Sequence, residues 1–357
     1  MNGCGVPPTA GVWHKSLVVR MPRTAVTKLL SLILLAGLPC GACGGHRHEA
    51  APGSEVPAGP LGLEAARAYV LALVNRDRAE HGVPPVEPDP ISTIAAQRHA
   101  NDIAAHGFTA HWGTDGSVPE QRYSEAGGEH MPQENAFCVI DGVARPLEPA
   151  PLFFAPELEL LQNAFVKQVP PNDSHRRNIL KPTHNGFGVG LARPAGVAQP
   201  CMVQVFIDAY GSYLPLPREA RVGDRVLVGG ELADPVEFEG VGVAWLSPAV
   251  ALPAAELAQL DSPEKRTYRI PDPHVTYFPA GRADAPNGVF LDGRRFAVEV
   301  PLDDRGLAGR YEISVWGRHP GNEAPMIVSL RTIDVRTTPA AARPSDDSGS
   351  LGTEDAR

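Results

Sequence analysis

The sequence has 357 residues, a formal net charge of −9 and 43% hydrophobic residues. This length is typical of about two domains, and the hydrophobic content excludes a wholly disordered chain. The negative charge excludes the broad basic surface that a nucleic-acid-binding protein needs, so we expect no nucleic-acid partner.

The N-terminus has the pattern of an export signal. Arg23 and Lys28 form a basic region, and Leu29–Leu38 is an apolar run that is too short to span a bilayer. Small residues and cysteines follow at Cys40–Cys43, as in a bacterial lipoprotein signal in which Cys43 is the acylated residue. We therefore predict an exported protein that is either attached to the cell envelope through a lipidated Cys43 or released outside the cell.

Two cysteines, Cys138 and Cys201, remain outside this leader. In an oxidising compartment, two cysteines predict one disulfide. The alternative is a pair of unrelated buried thiols.

Helical and strand patterns alternate irregularly in the first half of the chain, which is typical of a small α+β sandwich. The predicted helices are Leu61–His81, Ile91–His106, a short third helix opened by a capping box at Ser117-x-x-Glu120, and Pro156–Val169. A turn at Pro84–Pro90, a short strand at Glu134–Ile140 and a hairpin of Phe187–Ala192 with Cys201–Ala209 complete the predicted elements.

After a Leu-Pro-Leu-Pro linker at Leu214–Pro217, short strand-like segments separated by Gly, Pro and Asp predict an all-β, immunoglobulin-like sandwich. The predicted strands are Arg225–Val228, Val241–Leu246, Phe296–Pro301, Tyr311–Trp316 and Met326–Val335, with a helical turn at Pro253–Leu260 inside the sandwich. The predicted organisation is a leader (1–43), a flexible tether (44–60), a first domain (61–213), a β-sandwich (221–336) and a disordered tail (337–357).

Seven short motifs of the first domain occur in an order that resembles one extracellular family. They are Leu73–Arg78, His99–Ile103, His111 with the Asp115–Ser117 turn, Glu134-Asn135, Ser174–Leu180, Gly188–Gly190 and Val203–Phe206. Together they resemble the CAP superfamily (cysteine-rich secretory, antigen-five and pathogenesis-related proteins), and in particular its bacterial SCP-like branch. The resemblance implies a three-layer α-β-α sandwich with a central cleft that carries two histidines and two acids.

The resemblance places His111, Glu134 and His175 in that cleft as predicted ligand-binding residues. For the fourth member, family relatives have a Glu after the aromatic residue of the preceding helix. Phe165 matches this aromatic residue, so Gln168 takes the place of the acid and becomes the fourth predicted ligand-binding residue.

The chemistry of these residues leaves three interpretations. His111, Glu134 and His175 with a water resemble an open zinc site, so a divalent metal such as Zn²⁺ is the predicted cofactor. A metal-bound water would support a hydrolase or peptidase, although Gln168 removes the second acid. The third interpretation is a hydrogen-bonding scaffold in which Glu134 binds backbone N–H groups.

The favoured hypothesis is a non-enzymatic protein whose cleft binds a small or lipid-like ligand or a divalent metal. Its β-domain would serve as a spacer or as a surface for another envelope protein. The metal-assisted hydrolase is the alternative for the same cleft.

Overall fold

The computed structural model describes residues 57–246, 250–259, 275–280, 288–322 and 324–337. The predicted leader with Cys43, most of the tether and nearly all of the predicted tail lie outside the described residues. None of the described helices is long and apolar enough to cross a membrane.

The first domain is a four-stranded sheet between two layers of helices. Its elements are α1 (Leu63–Glu80), β1 (Glu87–Pro88), α2 (Pro90–His106), α3 (Pro119–Glu125), β2 (Met131–Phe137), α4 (Ala155–Val166), α5 (Ser174–Ile179), β3 (Gly186–Ala192) and β4 (Cys201–Asp208). The strand order is β1-β3-β4-β2, so β2 lies at one edge of the sheet. The predicted α-β-α sandwich is confirmed.

Strand β4 alternates its side chains between the two helical layers, as a strand buried on both faces must. Met202 and Phe206 pack with α1 and α4 in one hydrophobic core, whereas Val203 and Val205 pack with α2 in the other. Because β2 pairs with β4 in register, Glu134 lies opposite Val205 and Asn135 lies opposite Gln204. Glu134 therefore belongs to the α2 layer and Asn135 to the α1 and α4 layer.

Helix α2 is fixed at both ends and lies very close to the sheet. The Asp89 side chain accepts a hydrogen bond from the Ser92 amide at its start, and Gly107 ends it in the left-handed conformation (φ 66°). A Cβ on Gly188 or Gly190 of β3 would lie 2.2 Å from α2 backbone atoms. Only glycine permits this approach, which explains the Gly-Val-Gly motif of the strand.

The predicted disulfide joins Cys138 and Cys201, whose Cα atoms are 4.3 Å apart. Strands β2 and β4 are paired up to Phe137, which lies opposite Met202. Cys138 and Cys201 are the next residues of the two antiparallel segments, so the register brings them together. Both cysteines are buried in the core of the α2 layer. The bridge therefore ties the end of the edge strand to the centre of the sheet.

We expect Cys138→Ser to lower the free energy of unfolding by about 2–4 kcal/mol, because the bridge closes a long loop in the unfolded chain. Urea denaturation of the chain from residue 44 onwards measures this loss. The wild-type chain from residue 44 onwards should contain no reactive thiol when it is denatured without reductant. Two reactive thiols in the wild type would contradict the bridge.

The second domain is a β-sandwich of two sheets, as predicted. Its elements are β5 (Gly211–Tyr213), β6 (Glu219–Arg221), β7 (Arg225–Leu232), β8 (Glu237–Leu246), α6 (Ala254–Leu257), β9 (Val275–Pro279), β10 (Phe290–Asp292), β11 (Arg295–Pro301), β12 (Gly309–Arg318) and β13 (Met326–Arg336). One sheet has the order β10-β11-β7-β5 and the other β6-β13-β12-β8-β9. Four of these strands, β5, β6, β9 and β10, are not predicted from the sequence; β9 has five residues and the other three have only three each.

Several boundaries differ from the sequence-based predictions. The short strand begins at Met131 and ends at Phe137, and the fourth helix ends at Val166. The predicted Pro84–Pro90 turn contains strand β1, which pairs with β3. Residues 211–213, which we expected at the end of the first domain, pair with β7 of the second.

The predicted capping box at Ser117 is wrong. Helix α3 has Val118 as its N-cap without a side-chain hydrogen bond, and Pro119 follows as its first residue. The Ser117 amide instead donates to Oδ1 of Asp115 in a tight turn, at 2.8 Å. Proline at the first helical position needs no capping partner for its missing N–H, which is why the helix begins one residue later than predicted.

The helical turn predicted inside the β-sandwich forms as α6, but it packs against the first domain. Residues 250–259, which we name the arm, leave the second domain between β8 and β9. Leu257 of the arm is buried in the core of the α2 layer, together with Phe108 and Ala110. Helix α3 also contacts β13, where the Thr332 amide donates to the Ser124 hydroxyl at 3.1 Å. The two domains therefore share packed surfaces.

Candidate functional site

Glu134 and His111 meet as the sequence predicts. Nδ1 of His111 lies 2.9 Å from Oε1 of Glu134, and Nη2 of Arg122 donates to Oε2 of Glu134 at 2.9 Å. Arg122 also donates to the backbone carbonyl oxygens of Ser117 and His111, at 2.8 and 3.0 Å. One guanidinium on α3 thus fixes both the carboxylate on β2 and the loop that carries the histidine.

Glu134 is held as a buried anion, since only 1% of its side chain is exposed. Burial alone would raise its pKa, but the positive charge of Arg122, with contributions from His99 and His111, lowers the pKa to about 2. A carboxylate with this pKa is a poor general base near neutral pH. Its role is to orient His111, because a hydrogen bond to one ring nitrogen selects the tautomer.

His99 is a core histidine that also faces the site. Its side chain is fully buried on α2, and Nε2 lies 2.8 Å from the carbonyl oxygen of Ala110 and 3.7 Å from Oε1 of Glu134. Burial, followed by the charge of Arg122, lowers its pKa to about 4. A neutral His99 therefore supports the segment that leads directly to His111.

His175 and Gln168 form a second pair. The His175 amide donates to Oε1 of Gln168 at 3.1 Å, and Nε2 of Gln168 lies 2.8 Å from Nδ1 of the His175 ring. The first contact fixes the direction of the amide group, so its NH₂ donates to Nδ1. The proton of a neutral His175 is then on Nε2. Phe165 packs on the ring with the centroids 4.8 Å apart.

Asn135 links this second pair to the edge strand. Its NH₂ group donates to the His175 carbonyl oxygen at 3.3 Å and to Oε1 of Gln204 at 3.1 Å. Gln204 donates to Gln162 at 2.7 Å, and Gln162 donates to Asp77 of α1 at 2.8 Å. This buried polar chain crosses the layer from α1 to α5 and sets the position of His175.

The two pairs are therefore connected through consecutive residues of β2. Glu134 holds His111 on one face of the edge strand, and Asn135 holds the His175 backbone on the other face. The histidine side chains are partly exposed, with 23% exposure for His111, whereas Glu134 is enclosed. A binding surface at this open edge would present the two imidazoles to a ligand.

A third buried cluster adjoins the site through Asn178. Asn178 donates to Oδ1 of Asn135 at 3.0 Å, and its own Oδ1 lies 3.0 Å from Nε2 of His184. The other nitrogen of His184 lies 2.9 Å from Asp208, which also forms an ion pair with Lys181 at 2.6 Å. His184 and Asp208 are buried, so this cluster is part of the support of the site.

The donor set suits a divalent metal poorly. Both carboxylate oxygens of Glu134 are engaged by His111 and Arg122, and the adjacent guanidinium repels a cation. His175 receives a donor at Nδ1 and carries its proton on Nε2, whereas a metal needs a ring lone pair. Within the part of the chain that the structure describes, no group of three or more His, Cys, Asp or Glu residues could hold an ion.

Sequence reasoning missed two residues of this region. Arg122 was not considered, because a charged residue on a short helix is usually solvated. Glu120 was taken only as part of the capping box, whereas the structure buries it to 1% exposure on the same helix as Arg122. The first five residues of α3 are all buried, but their sequence has no apolar periodicity that would predict this.

A comparison with protein families agrees with this architecture. The model of the cysteine-rich secretory protein family, CAP, matches residues 71–206. The match begins in α1 and ends in β4, so it contains the predicted site residues and nearly the whole sheet. These residues are therefore a CAP domain, and the match supports a CAP superfamily assignment for this part of the chain.

Two solved structures resemble parts of the chain. An extracellular protein containing a SCP domain from Bacillus anthracis str. Ames is 21% identical, with 42% of this chain and 45% of that chain covered and a TM-score of 0.30. A chitin binding domain from Burkholderia pseudomallei is 11% identical, with 34% and 57% covered and a TM-score of 0.21. This chain thus spans less than two thirds of either, and both TM-scores are too low to support a functional conclusion. No curated protein matches the chain significantly.

Proposed function

We propose that this is an exported, non-enzymatic CAP-domain protein that binds a polar or amphipathic ligand at the edge of β2. His111, Glu134, His175 and Gln168 form the binding site in this proposal. Attachment to the cell envelope through a lipidated Cys43 is the expected way in which the protein is held near its ligand. The buried Cys138–Cys201 bridge supports an oxidising location.

One observation carries the choice of binding over hydrolysis: the ion pair of Glu134 with Arg122, whose donor atom is 2.9 Å away. If Glu134 were the general base of a hydrolase, its carboxylate would have to accept a proton near neutral pH. Here the carboxylate stays ionised and both of its oxygens have protein donors. Glu134 therefore acts as a fixed support for His111.

The tautomers of the histidines indicate the chemistry of the ligand. The His111 ring donates to Glu134 through Nδ1, so a neutral ring has an acceptor at Nε2. The His175 ring accepts from Gln168 at Nδ1, so its Nε2 is a donor. An acceptor and a donor suit hydroxyl or amide groups, which both donate and accept. Hydroxylated lipids and small polar molecules have this property.

Retention of lipid extract by immobilised protein tests the proposal. We expect the wild type to retain at least one compound, detected by mass spectrometry, and His175→Ala to retain at least tenfold less, because the donor is lost. His81→Ala is the matched control, since His81 is exposed on the end of α1. Elemental analysis of the same samples should find divalent metal well below one ion per chain.

Equal retention by the wild type and both variants would refute binding at this site. A near-stoichiometric metal in the wild type that is lost in His175→Ala would refute the polar-ligand chemistry and favour the metal-assisted alternative.

A further inference from the structure

We propose that the arm, residues 250–259 of the second domain, is a positioning element for the binding site in the first domain. It holds the loop that carries His111, so that the second domain is needed for the geometry of the site and is more than a spacer. The consequence for ligand binding rests on the proposed function, whereas the positioning of His111 against Glu134 does not.

The arm is joined to the His111 loop by a backbone hydrogen bond. The Leu252 amide donates to the carbonyl oxygen of Thr114 at 2.9 Å. Thr114 is three residues after His111, and its own amide and hydroxyl bind the Asp102 carboxylate of α2 at 2.8 and 2.7 Å. The loop thus lies between α2 on one side and the arm on the other.

Gly116 lets the backbones of the loop and the arm touch. It has a φ of +76°, in the left-handed region, and a Cβ on it would lie 2.3 Å from the carbonyl oxygen of Val250. Any other residue would both strain the backbone and push the arm away. The loop and the arm are far apart in the sequence, so this close approach of their backbones indicates complementary packing between them.

A buried leucine anchors the arm. Leu257 of α6 is 1% exposed and packs in the same core cluster as Phe108 and Ala110, the residues that lead to His111. Leu252, Ala254 and Ala258 pack against this cluster as well, with partial exposure. The arm therefore completes the hydrophobic core beneath the loop, and its removal would expose that core to water.

The His111 loop needs this support because Glu134, the residue that His111 binds, is held in place by a strand, whereas the loop has no regular structure of its own. Glu134 lies on β2, which is paired with β4 over seven residues, whereas His111 lies in an irregular segment between α2 and α3. Arg122 fixes the His111 carbonyl, Asp102 fixes Thr114 and the arm fixes Thr114 from the opposite side. Loss of the arm leaves one flank of the loop in solvent, so the 2.9 Å contact of His111 with Glu134 would become transient.

Nuclear magnetic resonance of the full chain tests this with Leu257→Ala and Val228→Ala. Both variants remove buried side-chain carbon, but Val228 lies in the core of the β-sandwich. In Leu257→Ala we expect amide hydrogen exchange of residues 111–117 to rise at least tenfold. We also expect the Nδ1–H signal of His111, which the hydrogen bond to Glu134 protects, to be lost to exchange with water. Val228→Ala should keep both, and Leu257→Met should restore them.

One further variant keeps the result decisive. If Leu257→Ala does not fold, Ala258→Gln replaces it, because its longer side chain displaces the arm from Gly142 without removing core atoms. An unchanged His111 signal and unchanged exchange in a folded arm variant would overturn the proposal. No ligand is used, so failure of the lipid-retention experiment leaves this result intact.

Discussion

Replacing Arg122 by methionine is expected to lower the free energy of unfolding by about 3–5 kcal/mol, the largest effect of any single substitution at the site. The change leaves the Glu134 carboxylate buried without its main positive partner, and removing one member of a buried ion pair is strongly destabilising. It also removes the donor that fixes the Ser117 and His111 carbonyl oxygens. Urea denaturation at neutral pH measures the loss.

Two comparisons separate this charge effect from simple loss of packing. Arg98→Met removes an arginine of the same size whose side chain is 42% exposed, and its ion pairs should contribute less than about 1 kcal/mol. The double variant Arg122→Met with Glu134→Gln should regain at least half of the loss, because no buried charge remains unpaired. An Arg122→Met variant as stable as Arg98→Met would contradict the role assigned to Arg122.

Acidification is expected to destabilise the first domain through His184 by about 2–3 kcal/mol between pH 6.5 and pH 4.5. Burial lowers the pKa of His184 from 6.5 to about 4, against the opposing effect of Asp208. The unfolded chain therefore takes up a proton as the pH falls below 6.5, whereas the folded chain does not until about pH 4. Stability from the neutral ring is present above pH 6.5 and is lost as the pH falls.

Denaturation of the wild type, His184→Gln and His81→Gln at pH 7 and pH 4.5 tests this direction. The loss of stability on acidification should be about 2 kcal/mol smaller in His184→Gln than in the wild type. His81→Gln should behave like the wild type, because its ring is on an exposed residue. If all three proteins lose the same stability, the ring of His184 is not the group responsible.

The sequence carried enough information for the fold because its regular elements repeat a pattern. Val70, Leu73 and Val74 recur at helical spacing and are buried in α1, and the apolar residues of β3 and β4 form the predicted antiparallel pair. The pairing of Cys138 with Cys201 followed from their number alone. The CAP resemblance was confirmed over residues 71–206.

The site was predicted in part, for a physical reason. The contact of His111 with Glu134 was predicted through the family motif, but the partner of Glu134 on α3 was not. Long-range polar contacts, such as that of Asn135 with Gln204, produce no periodic pattern in the sequence. Asn and Gln are also common on protein surfaces, so neither residue stands out as buried. Metal binding, lipidation of Cys43 and the identity of the ligand stay predictions.

The arm shows a second limit of periodicity. A helix of four residues is too short to present a stripe of apolar positions, so Leu257 could be recognised as helical but not assigned to a domain. Its position in the chain, between strands of the second domain, led to the prediction that it belongs to the β-sandwich. Packing in the finished fold assigned it to the other core.

The arrangement of Glu134 and Asn135 on one strand has a consequence for how this protein can change during evolution. Because consecutive side chains of β2 serve opposite layers, a single-residue insertion or deletion within 131–137 would exchange the two roles. The Glu134 carboxylate would then face Gln204 and Gln162, and the Asn135 amide would face the guanidinium of Arg122. We expect lineages of this protein to keep the spacing from Met131 to Cys138 constant.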